Sequence, residues 1–251
     1  MSADSPAYFR LTDLHKDFEG KRVLKGVSLA IPEGQTTVVL GGSGTGKSVL
    51  LKHLNGLIRP DRGTIEMQSQ ELTGRNESEL TPLRRKIGFV FQDGALFDSL
   101  SVGENILFPL LELGERDPAI LEKRLQSVLE KVDLEDEAQK MPSRLSGGMK
   151  KRVALARSLI MEPECLLCDE PTAGLDPILS ETVAHLIHKM TREQDLTAVV
   201  VTHDLAAMRI MADRVVFLFE GEVIYEGTLA GLDQTGDARI DSFLRASGGG
   251  G

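Results

Sequence analysis

The sequence has 251 residues, of which 41% are hydrophobic, and its formal net charge is −9. This length suits one large domain or a domain with an inserted lobe, and the apolar fraction is ample for a core. The two densest basic clusters, Arg84-Arg85-Lys86 and Lys150-Lys151-Arg152, are each only three residues long. The charge pattern therefore argues against a nucleic-acid binder.

The first residues have neither the basic region nor the apolar region of a secretory signal. No apolar run approaches the roughly 18 residues that a membrane-spanning helix needs. We therefore expect any membrane role of this chain to depend on a partner chain.

Segments rich in β-branched and other apolar residues recur along the chain and predict strands. In chain order they cover residues 9–14, 23–31, 37–40, 64–67, 87–91, 165–169, 197–202 and 215–219. The strand-rich first third predicts an antiparallel layer. The later strands mostly alternate with helical patterns, which predicts a mainly parallel sheet covered by helices.

Residues 102–132 carry apolar side chains at helix-compatible spacings. They predict a helical lobe, about residues 93–161, inserted into a core formed by about residues 1–92 and 162–245. The whole chain, 1–251, is then a single domain. Residues 246–251, Ala-Ser followed by glycines, are expected to form a flexible tail. Residues 239–245 are expected to pack as a helix on the core, and an accessory binding surface is the alternative for this segment.

A phosphate-binding loop follows the strand at residues 37–40. Its sequence, GGSGTGKS, satisfies the pattern G-x-x-x-x-G-K-[ST] with Gly41, Gly42, Ser43, Gly44, Thr45, Gly46, Lys47 and Ser48. The glycines allow a tight turn whose N–H groups point at phosphates. Lys47 is then the candidate ligand of the β- and γ-phosphates, and the Ser48 hydroxyl is a candidate Mg²⁺ ligand.

Two carboxylates end the strand at residues 165–169. In a P-loop ATPase an acid at this position holds Mg²⁺, so Asp169 is a candidate metal ligand and Glu170 a candidate general base. Taken alone, the two adjacent carboxylates fit a solvated turn equally well. The run that follows, PTAGLDP, ends in Asp176-Pro177, a favourable cap and first turn for a helix.

The only two cysteines, Cys165 and Cys168, lie on this same predicted strand. Residues three apart on a strand point to opposite faces, so the pair is not expected to form a disulfide or share a metal ion. Small buried apolar side chains in a reducing compartment are the better interpretation.

Residues 145–149 read LSGGM, between the phosphate-binding loop and the acidic strand. Ser146 is suited to cap the helix that follows, which leaves the N–H groups of Gly147 and Gly148 exposed as an anion-binding terminus. In this order the three motifs resemble the nucleotide-binding subunit of ATP-binding cassette (ABC) transporters. The resemblance covers nearly the whole chain and implies a P-loop NTPase core of the α/β class.

The resemblance also implies that ATP and Mg²⁺ are bound, and ATP hydrolysed, between the two subunits of a head-to-tail homodimer. Ser146, Gly147 and Gly148 would complete the site of the opposite subunit, and the run EPTAGLDP through Asp176 matches the Walker B and D-loop pattern. The chain departs from the family at Met149, where most members have glutamine, so the role of Met149 is open.

Three further site residues are implied by their position in the family pattern. Gln92 follows the strand IGFVF and resembles the glutamine that senses Mg²⁺ and the attacking water. His203 follows TAVVVT and resembles the histidine that contacts the γ-phosphate. Phe18 is the candidate for stacking on adenine; Tyr8 and Phe9 are competitors, and a plain core role for Phe18 is also open.

Residues 91–110, together with LSGGM, resemble the ATPases of the lipid-asymmetry (Mla) and Mce-associated transporters of bacterial envelopes. This implies a peripheral location on the cytoplasmic face of the inner membrane and a role in moving phospholipids. The implied partners are a membrane permease and, in many such systems, an Mce-domain lipid carrier and a small STAS-domain subunit. The candidate docking residues for the permease are Asp93, Gly94, Ala95, Leu96 and Phe97, whereas Phe108 is expected to pack inside the lobe.

Other classes of protein fit less well. The ATPase of a polar-solute importer would share every catalytic motif. Only the GALF segment, residues 94–97, favours a lipid as the transported molecule. Soluble ABC proteins of DNA repair or translation usually carry coiled-coil insertions, zinc modules or tandem cassettes, which this sequence lacks. A GTPase or a small-molecule kinase would leave LSGGM unexplained.

Overall fold

The computed structural model describes residues 6–248. The strands in that range are β1 (Ala7–Phe18), β2 (Lys21–Pro32), β3 (Thr36–Leu40), β4 (Arg62–Met67), β5 (Gln70–Glu71), β6 (Ile87–Val90), β7 (Cys165–Asp169), β8 (Thr197–Thr202), β9 (Arg214–Phe219) and β10 (Glu222–Gly227). They form a four-stranded sheet with the order β2-β1-β4-β5 and a six-stranded sheet with the order β10-β9-β3-β8-β7-β6.

The six-stranded sheet carries the parallel core. Neighbouring strands from β9 to β6 pair in parallel, and β10 is added antiparallel at one edge. Every residue of β3, β7 and β8 is buried. Strands covered on both faces need continuous apolar runs, which explains segments such as TTVVL and TAVVVT. The four-stranded sheet is antiparallel throughout.

The helices are α1 (Lys47–Leu54), α2 (Glu77–Arg84), α3 (Val102–Glu112), α4 (Pro118–Lys131), α5 (Gly147–Leu159), α6 (Pro177–Glu193), α7 (Leu205–Met211), α8 (Leu229–Leu232) and α9 (Ala238–Gly248). Polar caps determine where several of them begin, because they satisfy main-chain N–H groups that have no partner within the helix. The Ser101 and Glu104 side chains form a capping box on α3, and the Asp176 carboxylate accepts from the Leu179 amide on α6.

Two hydrophobic clusters lie on opposite faces of the six-stranded sheet. One unites the sheet with α3 to α9, and the other unites it with α1, α2 and the antiparallel sheet. Cys168 belongs to the first cluster and Cys165 to the second, as the strand geometry predicts. Both thiols are free and buried, and burial raises the pKa of each.

The architecture confirms the α/β fold class, with a mainly parallel sheet, an N-terminal antiparallel layer and helices between β6 and β7. The division into a core and a lobe stays a prediction, since α3, α4 and α5 share one hydrophobic cluster with the sheet. The strands β5 and β10 and the helices α2 and α8 were not predicted. Among residues 6–248, no helix combines the length and apolar character that crossing a bilayer requires.

The expected tail needs a correction. Helix α9 extends to Gly248, so residues 246–248 are helical rather than part of a flexible tail. Its Ile240 is fully buried, and the Phe243 ring packs edge-on against Phe217 with centroids 5.0 Å apart. Packing of this segment on the core is thereby confirmed. Residues 249–251 of the expected tail lie outside the described residues.

Candidate nucleotide-binding site

The phosphate-binding loop lies between β3 and α1, as the motif predicts. Gly41 cannot carry a side chain, because a Cβ there would stand 2.3 Å from the main-chain oxygen of Leu218. Gly46 caps α1 in the left-handed conformation with φ 104°, and no side chain among residues 6–248 caps that helix. The first N–H groups of α1 are therefore available to an anion, to which the helix dipole adds.

Lys47 is buried beneath this loop although its side chain is charged. Its Nζ donates to the main-chain oxygens of Gly41 at 2.9 Å and Gly42 at 3.0 Å, and lies 3.4 Å from Oε1 of Glu170. A buried ammonium group needs such partners, because losing its hydration is costly. The contacts place a positive charge at the base of the loop.

Ser48 and Asp169 meet at the start of α1. The Ser48 hydroxyl donates to Oδ1 of Asp169 at 2.7 Å. Burial raises the pKa of Asp169, and the neighbouring Glu170 carboxylate raises it further, against the hydrogen bond from Ser48. A cation placed here would relieve that cost.

The donor set at this position fits Mg²⁺. Within residues 6–248, no group of three or more His, Cys, Asp and Glu side chains could hold a metal ion. Mg²⁺ at a nucleotide needs no such cage, because it takes one or two protein ligands together with phosphate oxygens and water. The hydroxyl of Ser48 beside the carboxylate of Asp169 is such a pair.

Glu170 has an unusual backbone conformation next to this pair. Its φ of 46° lies in the left-handed region, which costs a residue with a side chain about 1–2 kcal/mol. The turn aims the buried carboxylate at the loop and at His203. Oε2 accepts from the main-chain N–H of His203 at 3.3 Å and lies 3.0 Å from its ring Nδ1. Strain of this kind concentrates at functional sites.

A cavity of about 550 Å³ opens above these groups. The predicted residues that line it are Gly42, Ser43, Gly44, Gly46, Lys47, Ser48, Gln92, Glu170 and His203. The structure thus brings together four motifs that are far apart in the chain. Asp169 lies behind Ser48, while Gly41 and Thr45 shape the loop from beneath, with the Thr45 hydroxyl donating to the Gly42 oxygen at 3.0 Å.

Phe18 lies outside the residues that line this cavity. It ends β1 and is 41% exposed, with the Lys16 ammonium 5.3 Å from its ring centroid. The exposure disfavours a plain core role, and stacking on adenine stays a prediction. Tyr8 and Phe9 are buried core residues, at 1% and 0% exposure, so neither can reach a nucleotide.

Four residues that line the cavity were not predicted from the sequence. Val23 is on β2, Val49 is on α1, and Phe243 and Ser247 are on α9. The apolar periodicity of residues 239–245 predicts a packed helix but does not indicate which wall of the molecule that helix covers. Their presence at the cavity depends on tertiary packing.

The LSGGM segment lies outside the cavity and begins α5. Ser146 caps that helix by accepting from the Met149 amide at 3.3 Å. Gly147 is exposed, but Gly148 is buried, so the expected exposure of both glycines holds for one of them. The reason is α6, whose Leu179 would lie 3.3 Å from a Cβ at Gly148. Asp176, the cap of α6, therefore begins the helix that packs on this segment.

A second cavity, of about 660 Å³, lies beside β6 and is mostly apolar. We call it the docking groove and define it by Phe89, Phe91, Ala95, Phe97, Phe108, Leu113 and Met161, with Arg84, Arg85, Glu112 and Arg157 also lining it. Of the candidate docking residues, Ala95 and Phe97 line it, Asp93 is exposed nearby, Gly94 is buried and Leu96 packs on the core.

Two residues change the expected picture of this groove. Phe108 lines it instead of only packing inside the lobe, with its ring centroid 4.7 Å from that of Phe97. Asn105, which is fully buried, was not singled out from the sequence. Its side chain accepts from the Phe97 amide at 2.8 Å and donates to the main-chain oxygens of Phe97, Leu100 and Ser101. It therefore fixes the loop that carries Phe97.

The sequence profile of the family described as "ABC transporter" matches residues 24–173, which include the phosphate-binding loop, LSGGM and the two carboxylates. The chain belongs to the ABC transporter family. It is the ATP-binding motor component of such a transporter, and its nucleotide site is that of an ATPase.

Individual relatives of this cassette have different printed names. It is 43% identical to the Arabidopsis thaliana protein TRIGALACTOSYLDIACYLGLYCEROL 3, chloroplastic, over 98% of this chain and 76% of that protein. It is 37% identical to the Mycobacterium leprae "Probable ribonucleotide transport ATP-binding protein mkl" over 92% of this chain and 67% of that protein. It is 38% identical to the Rhizobium johnstonii methionine import ATP-binding protein MetN over 97% of this chain and 67% of that protein.

Solved structures of cassettes share the fold. A dimeric post-hydrolysis state of the ATP-binding cassette MJ0796, bound to ADP and Pi, superposes with a TM-score of 0.80. The two chains are 36% identical, and the match covers 88% of this chain and 98% of the other. A second similar structure is cbiO1 from Clostridium perfringens, with a TM-score of 0.83 and 31% identity. The match covers 96% of this chain and 95% of the other.

Proposed function

We propose that this cassette hydrolyses ATP to move phospholipids between the membranes of a bacterial envelope, working at the cytoplasmic face of the inner membrane. Its permease would bind in the docking groove. The alternative is the same motor driving import of a polar solute. The observation that carries the ATPase mechanism is the meeting of Lys47, Ser48, Glu170 and His203 around one cavity, with Asp169 bonded to Ser48 behind it.

The residues divide the chemistry between them. Lys47 and the N–H groups of the loop hold the phosphates, while Ser48 and Asp169, with Gln92, would hold Mg²⁺. The metal supplies positive charge against the phosphate oxygens when it is bound. Glu170 accepts the proton of the water whose oxygen attacks the γ-phosphorus, and the bond from that phosphorus to ADP breaks. His203 contacts the γ-phosphate and is oriented by Glu170.

The LSGGM segment is proposed to act on the site of a second subunit in a head-to-tail homodimer. Ser146 and Gly147 are exposed at the N-terminus of α5 and lie outside this chain's own cavity. A helix terminus with free N–H groups favours an anion, which the γ-phosphate of the partner's ATP would supply. The dimeric state of the similar cassette MJ0796 supports this arrangement. Hydrolysis would remove the ligand that favours the closed dimer.

The apolar lining of the docking groove supports the proposal that a membrane protein binds there. Monomeric proteins rarely expose large contiguous apolar patches without a binding role, and this groove combines four phenylalanines with a rim of arginines. Phe91 and Phe97 are 36% and 43% exposed. An apolar helix from the permease, with an acidic group for the arginine rim, would bury these rings.

The choice of phospholipid as cargo has two supports. One is the resemblance of residues 91–110 and LSGGM to Mla-type ATPases. The other is the 43% identity to a relative whose printed name is that of a galactolipid. The relatives named for methionine import and ribonucleotide transport, at 38% and 37% identity, support the polar-solute alternative.

The deciding experiment is purification of the tagged cassette from its native membranes in mild detergent, followed by mass spectrometry of the bound proteins and lipids. A permease with an Mce-domain carrier, a small STAS-domain subunit and enriched phospholipid would support lipid transport. A permease with a soluble solute-binding protein and no enriched lipid would overturn it in favour of the importer.

Matched variants test the groove in the same preparation. Phe97→Glu places a charge in the docking groove and should remove the permease from the purified complex. Ile120→Glu places the same charge on α4, where Ile120 is 41% exposed and lies outside the groove, and should leave the complex intact. Retention of the permease by Phe97→Glu would exclude the groove as its binding site.

A further inference from the structure

The loop that carries Gln92, residues 92–97, is held by one face of α5, the helix that begins in LSGGM. The Lys151 ammonium donates to the main-chain oxygen of Gln92. One and two turns further along, Ala154 packs against Gly94, and the Arg157 guanidinium donates to the oxygens of Gly94 and Ala95 at 2.7 Å each. Residues 151, 154 and 157 share this face because positions three apart are neighbours on a helix.

Lys151 is buried, at 8% exposure, and no carboxylate of residues 6–248 forms an ion pair with it, which is unusual for a lysine. Burial lowers the pKa of Lys151, whereas the carboxylates of Asp93, Glu170 and Asp169 act in the opposite direction. The Lys151 ammonium is therefore within electrostatic reach of the carboxylates of the nucleotide site. Its direct acceptor is a main-chain oxygen in the Gln92 loop.

Gln92 itself faces the nucleotide cavity, while Ala95 and Phe97 of the same loop line the docking groove. Lys151 and Arg157 thus hold the main chain of the segment that joins the two cavities. A movement of α5 relative to β6 would carry the Gln92 carbonyl with it. The same movement would shift Ser146 at the start of α5.

We infer that Lys151 is a positioning residue for ATP hydrolysis, which acts by holding the main chain of Gln92 and so ties the Gln92 side chain to the position of α5. The inference rests on the proposed role of Gln92 at the nucleotide. ATP turnover in the site of one subunit then depends on its α5, the same helix that completes the ATP site of the partner subunit. Lys151 needs no contact with the nucleotide for this effect.

The test compares Lys151→Met with Lys151→Arg in the full chain. Methionine keeps an unbranched side chain, one atom shorter than lysine, and leaves the Gln92 oxygen without its donor, whereas arginine keeps a donor. We expect Lys151→Met to lower kcat for ATP about tenfold, the effect of losing a hydrogen bond to a charged group, with KM unchanged. Lys151→Arg should recover most of the rate. Lys123→Met, at an exposed lysine of α4, controls for the loss of a charge.

A double-mutant cycle with Gln92→Ala separates positioning from general stability. If Lys151 acts through Gln92, adding Lys151→Met to Gln92→Ala should not slow turnover further. Multiplicative losses, or full activity of Lys151→Met, would overturn the inference. Full activity of Gln92→Ala would instead refute the proposed role of Gln92.

Hydrogen–deuterium exchange gives a readout that does not depend on turnover. Lys151→Met should speed the exchange of residues 92–95, with the exchange of β3 and β8 unchanged. The Phe97 amide should stay protected, because Asn105 holds it independently. Unchanged exchange across residues 92–95 would overturn the inference, as would faster exchange throughout the molecule.

Discussion

Replacing Glu170 with glutamine tests the central assignment, because the change keeps the shape of the side chain and removes its charge. The two carboxylate oxygens have different partners. Oε2 accepts from the His203 N–H at 3.3 Å, and Oε1 lies 3.4 Å from Nζ of Lys47. An amide has one acceptor oxygen, so Glu170→Gln can satisfy only one of these two donors.

The effect on activity follows from the lost base. General acid–base catalysis typically contributes 10²–10⁴-fold, so the barrier should rise by about 2.7–5.4 kcal/mol. Binding of ATP should remain, because Lys47 and the loop are unchanged. The ATP-bound protein should therefore accumulate as a stable dimer.

The effect on stability is smaller. An unsatisfied buried donor costs about 1–3 kcal/mol. Lys47 also donates to the oxygens of Gly41 and Gly42, so the lower end applies, about 1 kcal/mol. For a protein of this size, that lowers Tm by about 2–4 °C.

Phosphate release, differential scanning fluorimetry and size exclusion with light scattering measure the three effects. The control is Glu130→Gln, which makes the same change at an exposed position of α4 and should match the original chain in all three. Normal turnover by Glu170→Gln would remove Glu170 from the role of base. An ATP-loaded monomer would contradict the dimer.

Three further substitutions have distinct expected outcomes. Asp169→Asn should raise Tm at neutral pH, because the raised pKa of Asp169 means that this carboxyl stabilises the fold at low pH and that the contribution is lost as pH rises through that pKa. The stabilisation by Mg–ATP in the same thermal scan should shrink. Lys47→Ala should weaken ATP binding itself in a titration, and unchanged affinity would contradict its assignment. Ser146→Arg should abolish turnover without reducing ATP binding by the monomer, and mixing it with Lys47→Ala should restore one intact site and ATP-dependent pairing.

The fold was predictable where the residue pattern is set by local geometry. Buried parallel strands need unbroken apolar runs, so β3, β7 and β8 were located almost to the residue. The strand β10 was missed because EVIYEG mixes charged and half-buried residues. The helix α2 contains Pro82, but its capping box from Asn76 to Glu79 is a signal that was present in the sequence.

The site was predictable to the extent that its chemistry is contiguous in sequence. The phosphate-binding loop and the acidic end of β7 each carry their residues in one short run. Residues that are adjacent in the sequence are therefore also adjacent in the site. Lys151, Asn105 and Phe243 could not be identified in this way. Their roles depend on which main-chain oxygen, loop or cavity lies opposite them, and only tertiary packing determines that.

The two cysteines of the chain lie on β7 with one thiol in each hydrophobic cluster. Each single-cysteine variant, Cys165→Ala or Cys168→Ala, therefore leaves a chemical reporter for one side of the sheet. Pulsed thiol labelling in rising urea would show whether the two sides open together or in sequence. If ATP slows the labelling of Cys165 more than that of Cys168, the difference measures how the free energy of ATP binding is divided between the two layers that this strand separates.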